Sequence, residues 1–456
     1  MTRLTRRRLL GHASRSALGL SMRSVITGLP VSFLLTGDAV AAPNPARIAI
    51  LSSSGSGEPL NVYGPGTYAP ELASVCEHPR PEEVDPAEVG SVVVNGVTLS
   101  VEDLSESAEV QLSGERVRMA RCFEALSPEM RAHMVWFNYR TRANIHPQYR
   151  SVLTSYGDVH NALGRGAEEI PAAIAQEMAA ILGTTTSAPF VLGGGSFSSG
   201  GSPLASYSPM KVKTLANSVG RSMGGPEQFG ALYDHFIDQT YGKVKREGTA
   251  QQKRFLDQYA SSKQQASAFG DQLGQMLEGI VDDTIESQLR TAVMIAKLRL
   301  SPVVVTNYSF GHDNHSDFDL SFEAGETLKM IKALDTYWKV ANEMGVVDDT
   351  LYATVDVFGR TPKRGSKGGR GHYGSFTSGL IVGTHLEGGV IGGIDASGGK
   401  AVASGINSTT GSSESPDVAP EDTLNAYYRT LMGLVGVPPE RREVRIPKGK
   451  EVLSML

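Results

Sequence analysis

Cysteine is almost absent from this chain: Cys76 and Cys122 are the only two among 456 residues. That scarcity excludes a disulfide-built scaffold and a thiolate-rich zinc site, both of which need four or more. In an oxidising compartment the two can pair, or they can stay free thiols, and sequence separation decides for neither. A membrane-spanning run is lacking too, because Arg23 breaks the apolar stretch near the start. Nucleotide-cradle chemistry is missing its cation. The Gly/Ser-rich stretch at 192–209, LGGGSFSSGGSPLASYSP, has neither the lysine nor the Ser/Thr that such a loop requires. It reads as a surface loop.

Positive charge is scarce except at the beginning. Residues 1–41 hold six arginines, one aspartate and no lysine. Arg6, Arg7 and Arg8 in TRRRLL precede a moderately apolar stretch that ends in small residues, with Ala39 and Ala41 placed for cleavage after Ala41. That order describes an export signal of the twin-arginine type, leading to a periplasmic or extracellular protein. Beyond it, 37 basic and 47 acidic side chains leave a net charge of −10. An acidic surface repels phosphate backbones and anionic lipid, so neither nucleic acid nor a membrane surface is an expected partner.

What is present is a series of short, nearly continuous apolar runs. They lie at 47–52 (RIAILS), 133–140 (HMVWFNYR), 301–311 (SPVVVTNYSFG), 351–360 (LYATVDVFGR) and 378–385 (SGLIVGTH). Such runs suit strands covered on both faces. Between them lie helical patterns; Leu328, Ile331, Leu334, Trp338 and Ala341 recur at three- and four-residue spacing and form one stripe. A long helical region at 226–298, interrupted near 246–252, reads as an insertion packed on the core. Strands alternating with helices predict an α/β domain over 42–456, with a mostly parallel sheet between helical layers.

Three stretches carry polar groups at the ends of these strands. In FGHDNHSDFDL (310–320), Asp313 and His315 sit two apart. In extended backbone they share a face, so a carboxylate and an imidazole can converge on one cation or phosphoryl oxygen. A plain Asp/Asn-stabilised turn is the competing reading. The second stretch, TVDVFGRTPKRGSKGGRGHYGSF (354–376), holds the one concentrated basic patch of the acidic portion. Arg360 follows a strand and a glycine, a placement that suits a bidentate grip on phosphate, sulfate or carboxylate. The third, SSSGSGEPLN after the first strand, offers hydroxyls at a strand end, where nucleophiles and anion contacts are found, although no base adjoins them in sequence.

Taken in order, these stretches resemble the bacterial family catalogued as domain of unknown function 1501. That family is related to the alkaline phosphatase and sulfatase superfamily, and its members are commonly exported by twin-arginine signals. Gly311, Asp313 and His315 match its Gly-x-Asp-Thr-His, with Asn314 in place of Thr. Phe358 to Pro362 match Phe-Gly-Arg-Thr-Pro, and Gly369, Arg370 and His372 match a Gly-Arg-Asp-His-Trp stretch. His146 corresponds to a Ser-His-Phe segment, and LIVGTHLEGGVIGG and RREVRIP look like the family's ending. The resemblance is strongest over 300–456.

It implies a three-layer α/β/α sandwich of alkaline-phosphatase type. Asp313, His315 and His372, with Asp356, are then the candidate ligands of a divalent cation (zinc, calcium, manganese or magnesium). Arg360, Arg370, His146 and Asn61 are candidate anion contacts, and Ser53, Ser54 and Arg360 candidate catalytic groups. The chain departs from the family where Val357 and Gly371 replace acidic residues and Tyr373 replaces Trp. A two-metal centre needs several carboxylates to balance its charge. Two expectations follow. One is a metal-dependent hydrolase of phosphate or sulfate esters. The other is a catalytically degenerate relative that binds an anionic or glycan ligand, or a protein partner.

Overall fold

The computed structural model describes residues 46–154, 168–194, 197–200, 202–218, 275–307 and 313–456, with isolated positions between 239 and 249. The signal-type segment at 1–41 and most of the stretch read as a helical insertion lie outside the described residues.

Eight strands form the main sheet among the described residues: β1 (Ile48–Ser52), β2 (Met134–Tyr139), β3 (Phe190–Leu192), β4 (Ser206–Tyr207), β5 (Val303–Thr306), β6 (Thr350–Thr354), β7 (Thr377–Val382) and β8 (Gly389–Ile391). Their spatial order is β4-β3-β5-β1-β6-β7-β2-β8. Every neighbouring pair is parallel except the two made by β7, which runs against both β6 and β2. The fold is α/β with a mostly parallel sheet, as the alternation of apolar runs and helical stripes predicts.

Helices cover both faces because the strands are apolar on both. Ile50, Val304 and Tyr352 point to one face, which is closed by the short α1 (Leu60–Tyr63), α3 (Ile285–Lys297) and α4 (Ser321–Glu343). Leu51, Val305 and Ala353, one position on, point to the other, closed by α2 (Ile170–Leu182) and α5 (Thr423–Leu434). That is the period-two alternation of a pleated strand. In α4 the stripe Leu328, Ile331, Leu334, Trp338 and Ala341 is buried throughout. No helix among the described residues is long and apolar enough to cross a membrane.

Two local expectations are corrected. The strand expected to run to Phe358 ends at Thr354. Asp356 ends it, because its carboxylate accepts hydrogen bonds from the backbone N–H of Val357, Ser54 and Gly57, an alternative to ladder pairing. Likewise β5 ends at Thr306 rather than near Ser309, and residues 308–312 lie outside the described residues. Cys76 and Cys122 are both buried free thiols, and burial raises the pKa of each.

Candidate metal centre

The site is assembled at one end of the sheet. Parallel strands β1, β2, β5 and β6 all finish there, and antiparallel β7 begins there, with Thr377 paired to Tyr139. In open α/β sheets this is the end at which ligands bind. The loop after β2 carries His146, the loop after β5 carries Asp313 and His315, and the segment leading into β7 carries His372. A two-residue antiparallel ladder, Gly359 with Tyr373 and Arg360 with His372, fixes the last of these.

Those four side chains converge. One ligating atom from each of His146, Asp313, His315 and His372 lies within 4.8 Å of all the others. His315 Nε2 and His372 Nε2 are 2.7 Å apart, and His372 Nε2 and His146 Nε2 are 3.0 Å apart. Asp313 Oδ2 lies 3.3 Å from His146 Nε2, and its Oδ1 lies 3.4 Å from His315 Nε2.

The outer nitrogens decide what the inner ones can do. His372 Nδ1 sits 2.7 Å from the Asn144 carbonyl, and His146 Nδ1 sits 3.1 Å from the Gly55 carbonyl. A carbonyl only accepts, so both Nδ1 atoms carry hydrogen, and in the neutral rings both Nε2 atoms present lone pairs. Two facing lone pairs at 3.0 Å repel unless a cation lies between them. The pKa values of His315 and His372 are depressed, chiefly by burial, a shift toward the neutral ring that a metal ligand must be.

The donor set fits a divalent cation of the zinc class. Three imidazoles and one carboxylate are its usual ligands, and donors at about 2.0–2.1 Å from a tetrahedral ion lie about 3.3 Å from one another. Four of the observed separations, 2.7–3.4 Å, lie near that value, and all lie within 4.8 Å. The cluster is also reachable, since the side chains of His146, His315 and Asp313 are 34%, 39% and 47% exposed.

Around it, the remaining candidates take distinct places. Arg360 is fully buried; one guanidinium nitrogen reaches Asp313 Oδ1 at 3.3 Å and also donates to the Ser56 carbonyl. The positive charge of Arg360 beside it holds the Asp313 carboxyl below its ordinary range despite the opposing effect of burial. Asn61 is buried and clamps the Arg360 backbone, accepting from its N–H at 3.0 Å and donating to its carbonyl at 2.8 Å. Arg370 is fully buried and lies outside the cluster. It donates to the Glu323 carboxylate and to the carbonyls of Thr361, Pro362 and Glu77. Asp356 is also outside it, and its carboxylate accepts from the Ser54 hydroxyl at 3.0 Å. Ser53 shares a hydrogen bond of 2.8 Å with the Tyr149 hydroxyl.

Three further groups complete the surroundings, and of these the sequence reading missed Glu58. His146, read as an anion contact from its match to a Ser-His-Phe segment, stands within the cation cluster. Glu58 is fully buried, with no hydrogen bond of ordinary geometry to either carboxyl oxygen. Burial, with the nearby Asp356 charge, pushes its carboxyl well above the usual range. Lys367 belongs to the basic loop, and its charge acts on His315.

Residues 237–410 match a family described as a protein of unknown function (DUF1501). The matched span holds Asp313, His315, Asp356, Arg360, Arg370 and His372, whereas Ser53, Ser54, Asn61 and His146 precede it. No curated protein matches the chain.

Proposed function

We propose that this chain is an exported, metal-dependent hydrolase of phosphate or sulfate monoesters, with an alkaline-phosphatase-like fold and one divalent cation held by His146, Asp313, His315 and His372. The observation that carries the reading is the convergence of three imidazole nitrogens on one carboxylate, with two of the imidazoles locked by Nδ1–H bonds to carbonyls. The bound cation would act as a Lewis acid on an ester oxygen.

The chain's own residues supply the rest. Ser54 donates its hydroxyl hydrogen bond to Asp356, an arrangement that pairs a nucleophile with a base. In the step proposed, the Ser54 proton passes to Asp356 Oδ2 and Oγ bonds to phosphorus or sulfur. The ester oxygen departs with the P–O or S–O electron pair and takes a proton from water, and the hydroxide so formed removes the proton from Asp356; a second water then attacks phosphorus or sulfur, releases the acid and returns the serine. Ser54 adjoins Gly55, whose carbonyl holds His146, so nucleophile and cation ligands belong to one loop system. Lys367 adds the positive charge that an anionic ester seeks.

A second reading has its own support. Four protein donors are the number that fills a tetrahedral ion, as in closed sites, and a closed site would favour a non-catalytic binder of an anionic or glycan ligand. Elemental analysis of residues 42–456 beside an Asp313→Ala/His315→Ala variant, followed by p-nitrophenyl phosphate and p-nitrophenyl sulfate assays, separates the cases. About one equivalent of metal, lost in the variant together with turnover, is expected. Metal without turnover favours the binder, and protein free of metal defeats the hydrolase.

A further inference from the structure

We infer that Glu323 is a positioning residue for the cation centre, joining the two loops that deliver three of its four ligands. This rests on the metal-binding reading above.

Glu323 lies in the first turn of α4 and is fully buried. Its carboxylate makes contacts in three directions. Oε1 accepts from the Tyr63 hydroxyl at 2.7 Å and from Arg370 Nε at 2.8 Å. Oε2 accepts from Arg370 Nε at 3.0 Å and from the Asn314 side-chain amide. Asn314 stands between the ligands Asp313 and His315, and Arg370 stands two residues before the ligand His372. One buried carboxylate therefore holds both ligand-bearing segments from behind.

Each segment is also held apart from its ligand atoms. Arg370 donates to the Thr361, Pro362 and Glu77 carbonyls, and its own carbonyl accepts from Arg360, whose guanidinium reaches Asp313. The loops themselves touch backbone to backbone: a Cβ on Gly369 would lie 1.9 Å from the Asn314 carbonyl oxygen. Asn314 directs its amide to Glu323 while its Oδ1 finds no hydrogen-bond partner, so within this buried setting the Glu323 contact alone orients that side chain. Groups outside the ligand set that fix ligand orientation commonly change metal affinity 10- to 100-fold when removed.

The test titrates zinc against a chromogenic chelator in residues 42–456. It also records the visible spectrum of the cobalt(II)-loaded protein, which reports ligand geometry. Four proteins are compared: wild type, Glu323→Gln, Asn314→Ala and Tyr63→Phe. Asn314→Ala leaves the Glu323–Arg370 pair intact and carries the test if Glu323→Gln does not fold. Tyr63→Phe removes a Glu323 contact that reaches no ligand loop. The expected result is zinc affinity lowered about 10- to 100-fold in Asn314→Ala and in Glu323→Gln, with an altered cobalt spectrum. Tyr63→Phe should lower the melting temperature and leave zinc affinity unchanged. Wild-type affinity and spectrum in Asn314→Ala would overturn the positioning role. A wild type that binds no zinc or cobalt would instead remove the metal-binding reading, and the inference with it.

Discussion

Glu58 is an acid placed where an ion is costly. Its carboxyl is buried, without a hydrogen bond of ordinary geometry, beside the charge of Asp356, and its pKa is raised well above the usual value. The folded chain therefore keeps a proton that the unfolded chain releases above about pH 4.5, so folding stability falls as pH rises from there toward the folded pKa. Glu58→Gln keeps the shape and cannot ionise. Its melting temperature should gain on the wild type as pH rises above about 4.5, and scanning calorimetry over a pH series checks it; a gap that stays constant would contradict the raised carboxyl. At this scale the site was partly legible in sequence. Asp313 and His315 announce themselves by alternation at a strand end, and His372 by a glycine-rich basic loop. Glu58 and Glu323 do not, because a buried carboxylate looks like any surface acid until its neighbours are known. Arg360 and Arg370 illustrate the converse: both read as candidate anion contacts, and both are wholly buried, with Arg370 committed to Glu323.

The elements were legible where one physical signal dominated. The stripe of α4 is uninterrupted, and Leu334 at its centre is fully buried. Leu334→Ala should cost about 2–5 kcal/mol in urea unfolding, whereas Lys329→Ala on the exposed side should stay within about 0.5 kcal/mol. The direction of β7 was not legible, because an apolar run has no arrow. That direction matters chemically. With β7 antiparallel, the segment that precedes the strand, rather than the one that follows it, arrives at the site and brings His372. The early end of β6 was hidden for a related reason, since Asp356 looks like a strand residue until its carboxylate is seen taking the backbone donors. Gly359 shows the tolerance at this junction: a Cβ there would lie 2.2 Å from the Phe376 carbonyl oxygen. Gly359→Ala should therefore destabilise the fold by about 1–3 kcal/mol, read from the same urea curves.

At the scale of the molecule, the cation cluster gathers loops from separate parts of the chain, with ligands at positions 146, 313, 315 and 372. Each loop is anchored by its own strand, so the sheet pre-pays part of the ordering that a metal site requires. Binding to the folded chain alone then stabilises it by mass action, by about 2.7 kcal/mol at a free metal concentration one hundred times Kd. For a chain of this length, with an unfolding entropy of about 2.1 cal/mol/K per residue, that corresponds to a rise of about 3 °C. Zinc added to chelator-treated protein should raise the melting temperature by about that amount. The rise should grow with the logarithm of free zinc and be absent in Asp313→Ala/His315→Ala. The slope distinguishes a specific centre from adventitious binding. Weak surface sites also bind the unfolded chain, which offsets their effect and flattens the dependence. An unchanged melting temperature over a thousandfold range of free zinc would mean that the lone pairs facing one another at 146 and 372 are reconciled by protons, and that no cation belongs there.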